Sequence, residues 1–548
     1  MIESLHPVLL LLLAAASTVW LRGWSRTAVT LLLATCALIL VWQMPGGRSF
    51  EFVLGESRLA LLALDYLARL FAILFTLLAV LTVLYGGGRS TYAETGYGLT
   101  HAAAAVAVVL AGDWLTLIFA WLMLILTASL LVSVQPGRHA YAAARRLLFL
   151  HGMASVFLLI GVVGQVYTSG SVDLAILVSD GDIEAWPAFL ILLAVLTAIA
   201  APPLSAWFAD CCQELSALSL VWFSAFTGKA GVYLLLRLFP GFEWLLAVGL
   251  LMLIYGAVFA LLSRNITRLL GYGFISSTGI IVMAVGLGND TGLSGAAGFA
   301  FVHGLIFALL FMSAGVVIER GRSSQLSSLG GLFQRMPLTT AYTLIAALSL
   351  LAMPLTAGYI SQLLIIEAAF EPGSVWPGIV FLLAVVTAVV HAGFYYPWRV
   401  FFGPAKPPAE DIAEAVFNQR VAMFVLAALC IVVGMAPCRL YQSLPYAVSC
   451  EPYTPGFVLT QLQLLFAAVL AAAWLLSYWR VPSADPVDFD QVYRHWWPRQ
   501  WPAIRTRLLR GLKVCADICR RLWQRLVCLW HYCLLRGRQL LRNYRSRK

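Results

Sequence analysis

The sequence predicts an all-α polytopic membrane protein with about 14–15 transmembrane helices. The chain has 548 residues, of which 61% are hydrophobic and 11% are charged, half or less of the charged fraction of an ordinary soluble protein. Uncharged apolar runs of membrane length recur from Leu5 to Trp479 and are joined by short loops. These observations exclude a water-soluble enzyme.

The apolar runs, taken in order, give fifteen predicted crossings. Charged residues, Gly or Pro bound each run and mark where the chain leaves the hydrocarbon. The crossings are 5–22, 27–43, 60–85, 98–112, 113–134, 147–167, 187–204, 217–238, 243–263, 270–288, 298–318, 338–369, 378–402, 418–437 and 456–479. Pro202, Pro203 and Pro354 interrupt otherwise apolar helices. Such broken helices at membrane depth can line a polar cavity and indicate a transporter.

The distribution of Lys and Arg predicts the orientation, because basic loops stay in the cytoplasm. Outside the C-terminal tail, one set of alternate loops holds fourteen Lys and Arg residues, whereas the other set holds only Arg48, Arg58, Arg237 and Arg439. We therefore expect a multi-pass protein of the cell inner (plasma) membrane with its N-terminus outside. An odd number of crossings then puts the C-terminus in the cytoplasm.

The C-terminal tail accounts for the net charge of +11. Residues 480–548 hold 16 Lys and Arg against four Asp, which is +12, so the rest of the chain is at −1. From Trp501, bulky apolar residues alternate with Arg clusters at helical spacing, which predicts a basic amphipathic helix bound to anionic lipid. Docking to a partner subunit is the alternative. Because the positive charge belongs to this tail, the basic pI does not indicate nucleic-acid binding.

The ten cysteines show no zinc-binding spacing, so we expect neither a metal site nor a cofactor. Cys438 and Cys450 flank one short loop on the predicted outer side. Either a disulfide or two unpaired thiols would fit this position.

Lys229 is the sharpest candidate for a functional residue, because a charged group in hydrocarbon costs about 2.5–3.5 kcal/mol on insertion scales. It stands well within a predicted crossing, flanked by Gly228 and Gly231. A proton relay and a structural pair with a carboxylate are both consistent with this position.

Other polar residues in the apolar runs have simpler interpretations. Asp65 and Arg69 lie four residues apart, which predicts a structural ion pair on one helical face. Asp113, in AGDWL, is predicted to cap the following helix. The histidines in or at the ends of apolar runs are more often hydrogen-bonded core residues than proton carriers, although their ordinary pKa permits proton transfer; they are His101, His151, His303 and His391.

Six segments resemble, in the same order, the D subunit of Mrp-type multisubunit cation/proton antiporters, a family related to the antiporter-like subunits of respiratory complex I. The longest is PLSAWFADCCQELSALSLVWFSAFTGKAGVYLLLRLFPG at 203–241. The others are AGDWLTL at 111–117, TRLLGYGFISSTG at 267–279, FVHGLIFALLFMSAGVVIERG at 301–321, LGGLFQRMPLT at 329–339 and MPLTAGYISQLL at 353–364. Together they cover roughly residues 55–405.

The resemblance implies about fourteen helices with two inverted five-helix repeats, each with a broken helix, here 187–216 and 338–369. It also implies a row of buried Glu, Lys and His residues that passes protons. Lys229 and His303 keep the expected residue type, and Glu214 matches an acid beyond the first break. The other positions of the row are occupied by Trp121, Ala198, Ser277, Phe307 and Gln362.

Trp, Ala and Phe cannot relay a proton, so the sequence predicts a family member whose own proton path is impaired. We expect a structural or coupling subunit beside other membrane subunits of an antiporter-like or complex I-like assembly, with which a redox module could associate. The alternative is an active subunit that moves protons or monovalent cations through Lys229, His303, His391 and Glu367. A lipid-modifying membrane enzyme is a third hypothesis, but no loop offers its polar catalytic cluster.

The apolar runs and the loops between them divide the chain into four regions. Residues 1–97 form N-terminal transmembrane helices, 98–405 an antiporter-like core, 406–480 further transmembrane helices, and 481–548 the cytoplasmic basic tail.

Overall fold

A computed structural model gives the fold of the chain. It describes residues 5–54, 57–183, 185–370, 375–404, 412–448 and 451–478, together with positions 488, 506 and 510. The chain forms two compact units, Met1–Pro486 and Val487–Lys548. The predicted tail helix and Cys450 lie outside the described residues, whereas Cys438 is a free, exposed cysteine.

The first part of the membrane unit contains six helices and one β-hairpin. The helices are α1 (Pro7–Ser17), α2 (Gly23–Gln43), α3 (Tyr66–Gly86), α4 (Tyr92–Leu110), α5 (Trp114–Ser133) and α6 (Arg138–Ser169). Strands β1 (Gly47–Leu54) and β2 (Ser57–Leu64) pair antiparallel between α2 and α3, with Gly47 opposite Leu64. The predicted start of the third crossing at residue 60 was therefore wrong, because hydropathy alone does not distinguish a short apolar strand from a helix.

The remaining helices include the two predicted interruptions. The next six are α7 (Trp186–Ala198), α8 (Ala206–Glu214), α9 (Ala217–Leu238), α10 (Trp244–Leu262), α11 (Ile266–Leu287) and α12 (Asp290–Gly321). The last six are α13 (Pro337–Leu350), α14 (Ala357–Ala369), α15 (Trp376–Ala388), α16 (Phe417–Met435), α17 (Pro437–Tyr441) and α18 (Pro455–Tyr478). Two π-helical segments, Val389–Tyr395 and Trp398–Phe402, continue α15.

Ten of the described helices are long and apolar enough to cross a membrane. Four shorter helices are also apolar, among them both halves of the 338–369 interruption. The prediction of a polytopic helical membrane protein is confirmed.

Two aspartates fix the helix starts next to the hairpin. The Asp65 carboxylate accepts a hydrogen bond from the Ala68 backbone N–H at 2.8 Å and caps α3. As predicted, Asp113 caps α5 by accepting from the Thr116 N–H at 2.8 Å. Its second oxygen accepts from the Ala60 N–H at 2.9 Å, which ties β2 to the start of α5.

Each interrupted helix is bridged by a side chain from its second half. At a helix C-terminus the last carbonyl groups lack partners within the helix. The Trp207 indole N–H, on α8, donates to the Thr197 carbonyl near the end of α7 at 3.0 Å. The Gln362 amide, on α14, donates to the Leu350 carbonyl that ends α13 at 3.1 Å. The Gln362 bond satisfies a carbonyl that the break exposes inside the membrane, whereas the Thr197 carbonyl also accepts from the Ala200 N–H at 3.2 Å and gains a second donor from Trp207.

Helices α10 and α11 approach each other along a seam of small residues. A Cβ built on Gly249 would lie 2.5 Å from the Gly279 carbonyl oxygen, and one on Gly256 would lie 2.5 Å from the Ser276 nitrogen. The seam continues at Gly286, where a Cβ would lie 2.9 Å from the Leu246 nitrogen. Only glycine allows the two backbones to pack this closely.

Candidate functional site

Lys229 lies near the middle of α9, a helix whose residues are almost all buried. Its side chain is fully buried, and its Nζ lies 2.7 Å from Nδ1 of His303 on α12. Among the described residues, His303 is the hydrogen-bonding partner of this amine. The structure therefore pairs the two intramembrane residues that keep the expected types, and Lys229 does not pair with Glu214.

Phenylalanine rings surround the pair formed by Lys229 and His303. The Lys229 Nζ lies 4.7 Å from the centre of the Phe274 ring, which packs edge-on against His303 at 4.9 Å. Phe307 stacks on the His303 ring at 4.4 Å, and Phe299 packs edge-on at 5.8 Å. The Nε2 atom of His303 is buried and has no hydrogen-bond partner within the described part of the chain. The pair thus sits in an aromatic cage formed by Phe274, Phe299 and Phe307.

A second buried polar group lies close to Lys229 along α9. His101, on α4, contacts the Thr127 hydroxyl on α5 through Nδ1 at 3.0 Å and the Thr227 hydroxyl on α9 through Nε2 at 3.1 Å. Thr227 precedes Lys229 by two residues. His101 therefore joins three helices through hydrogen bonds, in agreement with its interpretation as a hydrogen-bonded core residue.

His391 lies in the first π-helical segment, against α11. Its Nε2 is 3.2 Å from the Ser276 hydroxyl, and the hydroxyl in turn donates to the Leu253 carbonyl at 2.9 Å. A Cβ on Gly273 would come within 3.1 Å of His391 Nδ1. Gly273 precedes Phe274. Two consecutive residues of α11 therefore lie against His391 and belong to the aromatic cage, respectively.

The two acidic candidates lie at helix ends. Glu214 is half-buried at the end of α8, and Glu367 is exposed near the end of α14. The structure thus brings Lys229 and His303 together, whereas neither glutamate shares a hydrogen bond with that pair among the described residues.

The residues that replace the expected titratable groups are all in the interior. Trp121 and Phe307 are each 1% exposed, and Ala198 is equally buried. The indole nitrogen of Trp121 has no hydrogen-bond partner among the residues described. Ser277 donates to the Gly273 carbonyl of its own helix at 3.0 Å. The polar replacements, Ser277 and Gln362, therefore hydrogen-bond to backbone.

The predicted ion pair between Asp65 and Arg69 was wrong. Asp65 pairs with Arg237, at the end of α9. Arg69 instead donates to the Met44 carbonyl at 2.7 Å and to the Trp42 carbonyl at 3.2 Å. The reason is geometric: Asp65 is the cap that precedes α3, so its carboxylate is turned to the first backbone N–H groups, and Arg69 reaches the open carbonyl end of α2.

One buried ion pair was not predicted from the sequence. The Arg146 Nε donates to Asp210 Oδ2 at 2.9 Å, and the Asp210 side chain is 2% exposed. Arg146 is one of the fourteen basic residues assigned to loops, but α6 begins at Arg138, so Arg146 lies within this helix and is half-buried. The bond joins α6 to α8, and the signal that could have found it was an uncompensated Asp in the interrupted segment.

Another missed cluster surrounds Glu94 in the first turn of α4. Its carboxylate accepts hydrogen bonds from the Ser216 hydroxyl at 2.5 Å and the Ser219 hydroxyl at 3.3 Å. The Gln135 amide also donates to the Ser219 hydroxyl at 2.9 Å. A cavity of about 170 Å³ adjoins Glu94 and Ser216, and Glu319 also lines it. The cluster connects the ends of α4, α5 and α9.

Comparison with known proteins shows a family match that includes Lys229 and His303. Residues 111–390 match the family described as NADH:quinone oxidoreductase/Mrp antiporter, TM. The chain is 30% identical over 412 residues to a probable K(+)/H(+) antiporter A/B subunit of Rhizobium meliloti (strain 1021), covering 69% of this chain and 40% of that protein. It is 29% identical over 357 residues to "NAD(P)H-quinone oxidoreductase chain 4 1" of Synechococcus elongatus, covering 61% and 66%.

A solved structure has the same fold. A chain of the membrane-bound sulfane sulfur reductase, an archaeal respiratory membrane complex, superposes with a TM-score of 0.74 at 21% identity. The match covers 94% of this chain and 95% of the other. At this identity the likeness concerns the fold alone.

Proposed function

Because this chain belongs to the NADH:quinone oxidoreductase/Mrp antiporter transmembrane family, we propose that it is a membrane subunit of a multisubunit antiporter-like assembly whose own proton path is interrupted. Its role is then structural or coupling. Its expected partners are other membrane subunits, and the relatives' names indicate either antiporter or quinone-oxidoreductase complexes. The finer assignment, to the D subunit of the Mrp type, rests on the resemblance of the six segments.

The aromatic cage is the observation that carries this proposal. A proton relay needs a chain of groups that both donate and accept hydrogen bonds. Phe274 lies against the Lys229 amine and Phe307 stacks on the His303 ring, and neither phenyl ring can accept or donate a proton. Trp121 carries only a donor, and that donor has no acceptor among the described residues. These replacements remove relay groups where the family resemblance expects them.

A specific observation favours the second candidate, an active subunit with a rewired path. Two hydrogen-bonded histidines bind to helices that carry residues of the site: His101 contacts Thr227 on the helix of Lys229, and His391 contacts Ser276 on the helix of Phe274. Water molecules between these groups would make a connected path. The exposed Glu367 would then serve at one end.

The test is cation-driven proton flux from the purified full-length chain in sealed proteoliposomes. We expect no flux above that of empty liposomes when a potassium or sodium gradient is imposed. A protonophore added at the end shows that the vesicles were sealed, and Lys229→Met should behave as the unaltered chain does. Robust flux that disappears in Lys229→Met and His391→Gln would establish the rewired path instead.

A further inference from the structure

A large apolar groove runs between α3 and α16. Its volume is about 820 Å³. The walls are aliphatic and are formed on the two sides by Leu70, Ile73 and Leu77 of α3 and by Leu429, Val432 and Val433 of α16. Such walls solvate hydrocarbon and give no hydrogen bonds to water or peptide groups. The groove therefore fits an extended hydrocarbon chain.

The position of the groove matches one leaflet of a bilayer. Trp42 and Tyr66 lie at its mouth and are 67% and 64% exposed, as is typical of aromatic residues at the headgroup level. From Tyr66 to Leu77 the helix advances about 16 Å at 1.5 Å per residue. This is about half of the roughly 30 Å hydrocarbon core, so a chain entering at the mouth would end near the midplane.

The mouth of the groove is positively charged. Arg69 and Arg439 both line it. Arg69 is held in place by the carbonyl groups of Trp42 and Met44, and only part of its donor capacity is used. Arg439 is exposed, and its guanidinium has no hydrogen-bond partner among the described residues. The acid at the mouth, Asp65, is already paired with Arg237.

We propose that this groove binds an anionic phospholipid. One acyl chain lies along α3 against Leu70, Ile73 and Leu77, and the phosphate lies between Arg439 and Arg69. Guanidinium groups bind phosphate through charge-assisted, often bidentate hydrogen bonds. The proposal does not depend on whether this chain conducts protons, because the groove is separate from the aromatic cage.

The test uses the full-length chain in phosphatidylcholine vesicles doped with phosphatidylglycerol that carries a diazirine on its acyl chain. Phosphatidylcholine with the same diazirine is the headgroup control. After photolysis, mass spectrometry maps the adducts. We expect adducts to concentrate on the groove residues of α3 and α16, with phosphatidylglycerol favoured. The exposed apolar face of α6, which includes Val156, Leu159 and Val163, is the reference surface.

Two variants separate the headgroup from the acyl chain. Arg439→Gln should lower the preference for phosphatidylglycerol about five-fold, the effect of about 1 kcal/mol per basic residue. Arg58→Gln, an exposed Arg on the hairpin, is the matched control and should leave the preference unchanged. Ile73→Trp fills the groove and should reduce adducts of both lipids there, while adducts on α6 stay the same.

Three results would overturn the proposal. Adducts as dense on α6 as in the groove would mean ordinary lipid contact. Equal labelling by the two lipids would remove the role of the arginines. Groove residues that cross-link to another protein and not to lipid, when the labelling is repeated in native membranes, would identify a protein partner as the occupant.

Discussion

Lys229 shows how a single buried amine is accommodated. A Lys at the centre of a crossing is costly, and this one lies within hydrogen-bonding distance of His303 at 2.7 Å. The contact with the Phe274 ring at 4.7 Å adds a cation–π geometry, which is attractive when the amine is charged. A partner carboxylate is thus not required to explain why Lys229 is tolerated there.

This pairing predicts a coupling between Lys229 and His303. Lys229→Met and His303→Leu should each lower the free energy of unfolding by about 1–3 kcal/mol, because each leaves a buried polar group without its partner. The double variant should be no less stable than the worse single one. The measurement is detergent-induced unfolding of the purified chain.

Ser277→Ala is the control, since that buried hydroxyl bonds only within its own helix turn and its loss should matter little. Additive losses in the double variant would show that the two side chains do not interact. Unchanged stability together with abolished ion flux in Lys229→Met would place Lys229 in a working path.

Sequence spacing alone does not identify the ion-pair partners in this chain. The four-residue spacing of Asp65 and Arg69 predicts an ion pair between them, and the structure instead gives each residue another partner. The spacing does not identify the partners, because Arg237 lies 172 residues away in the chain and approaches only when α9 packs beside α3. The Arg146–Asp210 pair is non-local in the same way, because its members lie 64 residues apart in the chain.

The two interrupted helices are bridged by the same kind of hydrogen bond. In each, a donor from the second half reaches a carbonyl at the end of the first, from Trp207 in one case and Gln362 in the other. Gln362 stands where the resemblance expects an acid or a lysine. In the structure, the Gln362 amide donates to a backbone carbonyl. This bond explains a polar residue at the position without proton transfer.

Removing either donor should therefore destabilise the chain. Trp207→Phe keeps most of the ring and loses the N–H, and Gln362→Met keeps the length and loses the amide. We expect Gln362→Met to lower the free energy of unfolding by about 1–3 kcal/mol, the cost of an unpaired buried carbonyl. Trp207→Phe should lower it by about 0.5–1.5 kcal/mol, the net contribution of one hydrogen bond, because the Thr197 carbonyl still accepts from the Ala200 N–H. Thermal unfolding followed by tryptophan fluorescence and by size exclusion measures the change.

Trp222→Phe is a matched control, because the Trp222 indole nitrogen is buried without a hydrogen-bond partner among the described residues. The same ring contraction there removes no bond. If Trp207→Phe and Trp222→Phe were equally destabilising, ring volume and not the bridge would explain the loss.

Most helices could be predicted from hydropathy, and both interruptions from their prolines. The hairpin could not, because LALLAL at 59–64 is as apolar as a helix of the same length. Its strand conformation follows from pairing with β1 and from Asp113, which binds the Ala60 N–H from a later helix. The extension of α6 to Arg138 was missed for a related reason: Arg146 breaks the apolar run but is neutralised by Asp210.

For the whole molecule, the loop charges and the crossing count predict an external N-terminus. Cys438 is exposed and lies on the predicted outer side. A membrane-impermeant maleimide added to intact cells should label it in a Cys450→Ser background, and Cys438→Ser in that background should abolish the label. Labelling of Cys438 that requires permeabilised cells would reverse the orientation or reveal a miscounted crossing.

The fold of the transmembrane core follows from the resemblance, which covers roughly residues 55–405, and the match over residues 111–390 confirms the family. The aromatic cage could not be predicted in full. The replacement of a relay residue by Phe307 was visible in the sequence, and Phe299 lies one turn before His303 on the same helix. The approach of Phe274 to His303, in contrast, depends on how α11 and α12 pack.

The glycine seam between α10 and α11 has a mechanical consequence. Shear between helices requires a layer of side chains that can slide, and at Gly249 and Gly256 the backbone of α11 occupies that layer. We therefore expect α10 and α11 to move as one rigid body. A displacement of Ser276, which contacts His391, should then move both helices together.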